Sequence, residues 1–322
     1  MDIVLKAERI TKYYRAWAGV FRRGSSIVKA VDGVDLALER GKTLGLVGES
    51  GCGKSTLARV LMRLEEPTSG RIYIDGEDFL AFRGKALRRE RRKIQMIFQD
   101  PYSSLNPRLT VGSTIAEGIK IHKIAKGKEV RERVMALLAK VGLPPSAENK
   151  FPHEFSGGQR QRIGIARALA VEPEIIIADE PVSALDVSVR AQIINLIKDI
   201  QEETGVSMIF IAHDLGVVKN VSDTLAVMYL GKIVELAETD AIFREPLHPY
   251  TKGLLASIPV ADPDAPVVRA AIDGDVPSAA KVPPGCSFHP RCPEVMERCT
   301  KEPPRLVEIG SNRLVRCWLH NE

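Results

Sequence analysis

Aromatic residues are scarce in this 322-residue sequence: two Trp, six Tyr and nine Phe make up 5% of it. Cysteine is scarcer, at five, and four of these fall within residues 286–317. So uneven a distribution excludes a chain-wide disulfide framework and points to a local feature near the C-terminus. No apolar run approaches the roughly 18 residues that cross a bilayer. The opening MDIVLKAERI lacks the basic-then-apolar pattern of a signal peptide. There is no long heptad run, and no repeat at the roughly 20–50-residue period of solenoids. Neither charge sign dominates: 46 Lys+Arg against 41 Asp+Glu leave +5, too mild to imply nucleic acid. What remains is a globular protein with 44% hydrophobic residues and a sizeable core, expected in the cytosol. Any membrane association is expected to come through partners.

Several segments are patterned. Residues 2–10 and 27–47 alternate apolar and polar side chains and predict β-strands, with a polar and aromatic loop at 13–26 between them. Lys42-Thr-Leu-Gly-Leu-Val-Gly48 is a short apolar strand entering a glycine cluster, and residues 54–64 then read as a helix. Further helices are expected at 113–123, 127–141, 158–171 and 187–203. Ile175-Ile-Ile-Ala178 and residues 206–212 read as buried parallel strands, and 225–237 as a hairpin. Strand–helix–strand alternation gives an α/β fold with a parallel core sheet. The run Arg83–Lys93 holds seven Lys/Arg and one Glu without interleaved aromatics, and reads as a solvated helix face rather than a nucleic-acid contact. From Pro259 to Pro284 six prolines and many alanines form an extended connector. The boundary is placed near residue 256: a nucleotide-binding domain over 1–255, with a helical subdomain at about 100–160, and a cysteine-bearing domain over 256–322.

Two motifs carry chemistry. Gly48-Glu49-Ser50-Gly51-Cys52-Gly53-Lys54-Ser55 matches G-x-x-x-x-G-K-[ST] and lies after a strand and before a helix, as a phosphate loop must. Glycines let backbone N–H groups converge on phosphate, and the helix that continues through Thr56 adds partial positive charge. Lys54 is expected on the β- and γ-phosphates and the Ser55 hydroxyl on Mg²⁺; Cys52 reads as filler. Ile175–Ala178 ends in Asp179 and Glu180. A carboxylate at that end of a parallel strand lies where α/β folds bind ligands, so Asp179 is expected to hold Mg²⁺ and Glu180 to polarise an attacking water.

Phe155-Ser-Gly-Gly-Gln-Arg-Gln-Arg162 closely resembles the signature of ABC-type ATPases, with Phe155 where the family commonly has Leu. Other elements follow in the family's order. Tyr14, beside Tyr13 and near Trp17, fits the residue that stacks on adenine. Gln99 fits the Q-loop, which also touches Mg²⁺; Ser183-Ala184-Leu185-Asp186 fits the D-loop; His213 fits the switch histidine. Gln99-Asp-Pro-Tyr-Ser-Ser-Leu-Asn-Pro-Arg108 and His248-Pro-Tyr-Thr-Lys-Gly-Leu-Leu255 are similar to ATPases of oligopeptide and dipeptide importers, in the "F"-type form. The resemblance implies an N-terminal antiparallel β part and a helical subdomain. It implies ATP sandwiched between this chain's phosphate loop and a partner's signature, while Ser156, Gly157, Gly158 and Gln159 face the partner's nucleotide. The implied partners are a second homologous ATPase, two membrane-spanning permeases, for which residues 99–108 would form the coupling region, and an extracytoplasmic peptide-binding protein. The implied location is peripheral, on the cytoplasmic face of the plasma membrane, with no nucleic acid. A nickel importer ATPase is the nearest alternative; a soluble ABC ATPase acting on nucleic acid, or a module that holds ATP without hydrolysing it, are more distant ones.

The cysteines run Cys286-x₅-Cys292-x₆-Cys299-x₁₇-Cys317. Structural zinc prefers closer pairs, and an iron–sulfur cluster tolerates irregular Cys₄ spacing. Zinc, a cluster and unliganded thiols stay open on the residues, and the resemblance points to a 4Fe-4S cluster. So short a tail has little core of its own, so a metal is expected to supply much of its folding free energy. The tail is far in sequence from the ATP site, and its role is expected to be structural or docking.

Overall fold

Alternating side chains open the fold. Strand β1 (Ile3–Trp17) is longer than its pattern predicts, and strand β2 (Ser25–Glu39) starts two residues before its patterned stretch and ends short of residue 47. In β2, Val34, Leu36 and Leu38 are buried while Asp35 and Ala37 are exposed, a period of two. β1 continues through Tyr13 and Tyr14, read above as loop, because aromatic residues suit a half-buried pleated surface. The computed structural model describes residues 2–17, 25–258, 272, 274–310 and 312–321. Most of the proline-rich connector therefore lies outside the described residues.

β3 (Thr43–Val47) is buried throughout and leads through the glycine cluster into α1 (Lys54–Leu61). α1 stops short of the expected residue 64, since Arg63 adopts a left-handed φ of 54°. Next come β4 (Ser69–Ile74), β5 (Glu77–Asp78), α2 (Gly84–Lys93) and β6 (Ile94–Ile97). The basic run forms α2, and its charges meet local partners: Arg92 donates to the Val171 carbonyl at 2.8 Å, and Lys93 pairs with Asp75 at 3.0 Å and Glu90 at 3.1 Å. Four helices follow: α3 (Pro101–Ser104), α4 (Val111–Ile121), α5 (Lys128–Lys140) and α6 (Gly157–Leu169). Then β7 (Ile175–Asp179), α7 (Val187–Thr204), β8 (Ser207–Ala212), α8 (Leu215–Val221), β9 (Thr224–Tyr229) and β10 (Lys232–Glu238) alternate. The chain closes with α9 (Thr239–Arg244), α10 (Pro249–Ala256), α11 (Glu297–Lys301), β11 (Val307–Glu308) and β12 (Leu314–Val315). The class is α/β, with parallel and antiparallel pairs.

The chain divides into two units. The first comprises Met1–Val4, Leu38–Lys42 and Ile74–Phe210. Its strands run in the order β8-β7-β6, with β6 and β7 parallel in the register Ile94↔Ile175 to Ile97↔Ala178. Helices α4, α5 and α6 pack on one another, and α3 packs on α6. The second unit comprises Leu5–Ala37, Thr43–Tyr73 and Ile211–Glu322. It holds neighbouring strands β2-β1-β4 and a run β11-β12-β10-β9-β3, in which β3 lies parallel to β9 and the expected β9–β10 hairpin is antiparallel.

The cysteine-bearing tail belongs to this second unit's core. β12 pairs antiparallel with β10, Glu235 opposite Val315. Phe288 is 1% exposed and packs with three other buried rings, Tyr229, His248 and Tyr250, at centroid distances of 5.3, 5.6 and 5.4 Å. Among the described residues no helix is long and apolar enough to cross a membrane.

Candidate active site

The phosphate loop is built by β3 and closed by glycines that nothing larger could replace. Gly48 has φ 154° and Gly53 φ 109°. A Cβ on Gly48 would stand 2.2 Å from the Met228 carbonyl oxygen, and one on Gly53 2.1 Å from that of Ala30. Gly53 is the N-cap of α1 and no side chain caps the helix, so its first N–H groups face the loop's concavity. Lys54 is 4% exposed, and its ammonium donates to the carbonyls of Gly48 at 2.7 Å and Glu49 at 3.0 Å. Those two carbonyls aim the charge along the loop. Cys52 is buried beneath it, with Sγ 3.8 Å from the Lys54 nitrogen, and burial raises its thiol pKa.

Glu49 stands at a position that G-x-x-x-x-G-K-[ST] does not specify, yet every polar group on it is engaged. Its N–H donates to the Tyr250 hydroxyl at 3.0 Å, and its carboxylate receives both arms of the Arg291 guanidinium at 2.8 and 2.9 Å. The tail therefore reaches the phosphate loop, although it is far from it in sequence. The local signal was present in His248-Pro-Tyr250, whose side chains and backbone form this seat. Glu235, 1% exposed, accepts from the N–H groups of Leu247 and His248 at 2.8 and 2.9 Å, and His248 Nδ1 accepts from the Tyr250 N–H at 3.0 Å.

In the first unit, β7 delivers Asp179, 4% exposed, and then Glu180 in a left-handed conformation with φ 45°. That is a strained conformation for a non-glycine residue, of the kind stored at functional sites. The Gln99 amide donates to the Glu180 carboxylate at 2.9 Å, so two of the residues singled out from the sequence meet. Ser183 donates through its hydroxyl to the Glu180 carbonyl at 3.0 Å, and Arg190 holds the Leu185 carbonyl at 2.7 Å, which fixes the turn leading to Asp186, the N-cap of α7. After Gln99, Asp100 caps α3 by accepting from the Tyr102 N–H at 2.8 Å. The exposed Tyr102 ring lies 3.8 Å from the Arg160 guanidinium.

Ser156 and Gln159 form a capping box at the start of α6: the Gln159 side chain accepts from the Ser156 N–H at 3.0 Å and the Ser156 hydroxyl from the Gln159 N–H at 3.4 Å. Gly157 and Gly158 occupy the first two helical positions, where no intrahelical carbonyl reaches their N–H groups. Gly158 packs against α7, where a Cβ would come within 2.4 Å of Val189.

In the second unit, Tyr14 is part-exposed on β1; its hydroxyl donates to Glu65, and the Lys12 ammonium sits 5.1 Å from its ring. Tyr13 instead turns its hydroxyl to Asp32, where burial first and that hydrogen bond second push its pKa up to about 12. His213 is exposed after β8, and the neighbouring Asp214 caps α8. Ser50, Gly51, Ser55 and Thr56 complete the loop and the first turn of α1. In the second unit the concave glycine loop and aimed ammonium suit the phosphates of a nucleotide, and in the first unit the acid-terminated strand offers a carboxylate of the kind that suits Mg²⁺.

The structure overturns the iron–sulfur expectation. Among the described residues no group of three or more His, Cys, Asp or Glu side chains is placed to hold a metal ion. Cys286, Cys292, Cys299 and Cys317 are free cysteines, and burial raises the thiol pKa of Cys286 and Cys292, and that of Cys317 to about 11. His289 Nδ1 lies 2.8 Å from the Cys286 carbonyl oxygen, and His320 Nε2 3.3 Å from that of Leu247. The reasoning that a metal must fold the tail fails because the tail has an apolar seat, Phe288, and a strand partner, β10.

A glycine phosphate loop, an acid-terminated strand joined to a glutamine loop, and a capped Ser-Gly-Gly-Gln helix define an ABC-type ATPase. The ABC transporter family model matches residues 31–183, and that of the oligopeptide/dipeptide transporter C-terminal region matches residues 234–299. The chain belongs to the oligopeptide/dipeptide family of ABC transporter ATP-binding proteins. It is 52% identical, over 98% of its length and 90% of the relative's, to a probable peptide ABC transporter ATP-binding protein, y4tS, of Sinorhizobium fredii. It is 49% identical, over 99% of its length and 98% of the relative's, to the oligopeptide transport ATP-binding protein AppF of Bacillus subtilis. Among solved structures, the dimeric post-hydrolysis state of the ATP-binding cassette MJ0796, bound to ADP and Pi, matches with a TM-score of 0.65 and 31% identity. That match covers 73% of this chain and 98% of the other. The chain is an ABC-type ATPase and, with its family, binds ATP and Mg²⁺.

Proposed function

We propose that this chain is one of two ATP-hydrolysing subunits that energise peptide import, working on the cytoplasmic face of the plasma membrane. Its partners are a second homologous ATPase, two permeases and, through them, an extracytoplasmic peptide-binding protein. The peptide class is supported by full-length similarity to peptide transport ATP-binding proteins, including the C-terminal region. The observation that carries the hydrolytic reading is the Gln99–Glu180 hydrogen bond at the end of β7.

In this reading Tyr14 stacks on adenine and the loop Gly48–Thr56 wraps the phosphates. Lys54, aimed by two loop carbonyls, stabilises charge that develops on the β- and γ-phosphates. Ser55, Gln99 and Asp179 would hold Mg²⁺, which would supply positive charge against the phosphates. Glu180 accepts the proton of the attacking water, and the Gln99 amide fixes its carboxylate until the γ-phosphate draws that amide away. His213 reads the γ-phosphate. Gly157 and Gly158 present N–H groups, with Ser156 and Gln159, to the nucleotide of the partner subunit, and Asp186 adjoins the same interface. Hydrolysis then depends on two chains closing together, which yields the two states that drive the permeases.

Glu180→Gln keeps shape and removes the base. In the assembled transporter it should bind ATP normally, while turnover falls by about a hundredfold or more and labelled peptide uptake by vesicles stops. Near-normal hydrolysis by that variant refutes the role of Glu180. Uptake of Ni²⁺ rather than peptide by the unaltered transporter refutes the substrate class.

A further inference from the structure

An acid in a phosphate loop works against the loop's electrostatic task unless it is paired. Glu49 directly follows Gly48, in a loop whose task is to attract a polyanion, and an unpaired carboxylate there repels phosphate. Here Arg291 meets it in a forked, two-bond pair at 2.8 and 2.9 Å. The Arg291 side chain is only 6% exposed, and its guanidinium also lies 5.9 Å from the Tyr229 ring centroid. The arginine is held from behind. Phe288, three residues earlier, is locked among Tyr229, His248 and Tyr250, and the Arg291 N–H donates to the Phe288 carbonyl at 3.0 Å. The same Glu49 whose carboxylate Arg291 grips offers its carbonyl to the Lys54 ammonium at 3.0 Å and its N–H to Tyr250 at 3.0 Å. A rigid path therefore runs from the C-terminal segment through Glu49 to the lysine that faces the phosphates.

We propose that Arg291 is a positioning residue for the nucleotide: it neutralises Glu49 and fixes the loop backbone that aims Lys54, so the C-terminal segment sets nucleotide affinity. This rests on the reading of Gly48–Ser55 as the ATP site. Arg291 touches no phosphate; it acts through Glu49. Its loss leaves an uncompensated carboxylate beside the nucleotide, and its replacement by lysine keeps the charge but not the fork.

The test measures binding of MgATP to the full-length chain, and KM and kcat in the assembled transporter. Arg291→Ala should weaken MgATP binding by about tenfold, raising KM more than it lowers kcat. Arg291→Lys should cost about threefold. The decisive variant is Arg291→Ala with Glu49→Gln, which removes the repelling charge while leaving the same hole in the tail, and should regain most of the lost affinity. The single-variant loss should also shrink as salt rises. Emission from Trp318, which lies in the tail, tracks whether that segment stays docked. Unchanged affinity in Arg291→Ala overturns the proposal. So does a loss that persists in full in the double variant, because a purely structural arginine would behave that way. Lys54→Ala separates the two levels: if it abolishes binding while Arg291→Ala leaves affinity unchanged, the ATP site stands and only the role of Arg291 falls. If Lys54→Ala binds normally, the site itself is misassigned.

Discussion

Phe288→Ala is the sharpest test of what holds the C-terminal segment in place. The ring is 1% exposed and makes edge or tilted contacts with three buried rings. Truncating a buried Phe costs about 3–5 kcal/mol, the spread reflecting how far the surroundings collapse into the hole. Here collapse is restricted. The neighbours are rings and Pro303 and Pro304, and a void of about 20 Å³ already adjoins Phe288, His248 and Cys286. The upper half of that range is therefore expected, about 4 kcal/mol. This exceeds what the two-residue pairing of β12 with β10 supplies, so the segment should detach before the rest unfolds. In a Trp17→Phe background, Trp318 emission reports the tail alone. Its urea midpoint should fall by on the order of 2 M and separate from the circular-dichroism transition. Leu319→Ala, at a site 39% exposed, is the control and should stay within about 0.5 kcal/mol. A Phe288→Ala midpoint within experimental error of the parent would refute the claim that an apolar anchor seats the tail.

Other consequences are as direct. Gly53→Ala must either abandon φ 109° or drive its Cβ into the Ala30 carbonyl, so it should abolish MgATP binding in a titration while leaving the far-UV spectrum intact. Gly158→Ala meets Val189 at 2.4 Å and should impair ATPase activity several-fold, and adding Val189→Ala should restore much of it; no recovery would show that the glycine is needed for another reason. His248 is fully buried and its pKa is pushed down to about 3, by burial first. It is neutral in the fold and takes a proton in the unfolded chain below about pH 6.5, so its contribution is complete above that pH. It is lost toward pH 3, at up to about 1.4 kcal/mol per unit. Urea titrations from pH 7 to 5 should show this slope, and His248→Asn should flatten it.

Much of the candidate site's local structure was legible because its constraints are local. A glycine at a forced φ, a lysine after it, an acid at the end of an apolar strand and a serine opening a helix leave fixed marks within a few residues. The strand and helix order of the core was readable for the same reason, since Ile175–Ala178 and Met208–Ala212 are too apolar and too short to be anything but buried strands. What could not be read was contact across the chain. Glu49 and Arg291 lie 242 positions apart, and each occupies a place that its own motif leaves free. Phe288, a lone aromatic without periodic neighbours, gave no hint that it would be buried. The cysteine spacing invited a metal because thiols are conspicuous in a sequence; whether four of them converge depends on backbone paths that spacing does not specify. β1 outran its expected end because propensity for strand and for aromatic loop overlap at Tyr13 and Tyr14.

The pairing of β12 with β10 has a consequence for solubility. Leu314 and Val315 occupy the outer flank of β10, and the Arg316 N–H adds a bond to the Val234 carbonyl at 2.8 Å. A chain ended after α10 would bare that flank, with Ile233 and Val234 on the exposed strand. An open strand of this kind recruits strands from other molecules. The last few dozen residues thus act as a built-in guard against self-association. Shortened or chimeric versions of the cassette that discard them should precipitate even where the nucleotide site is left whole.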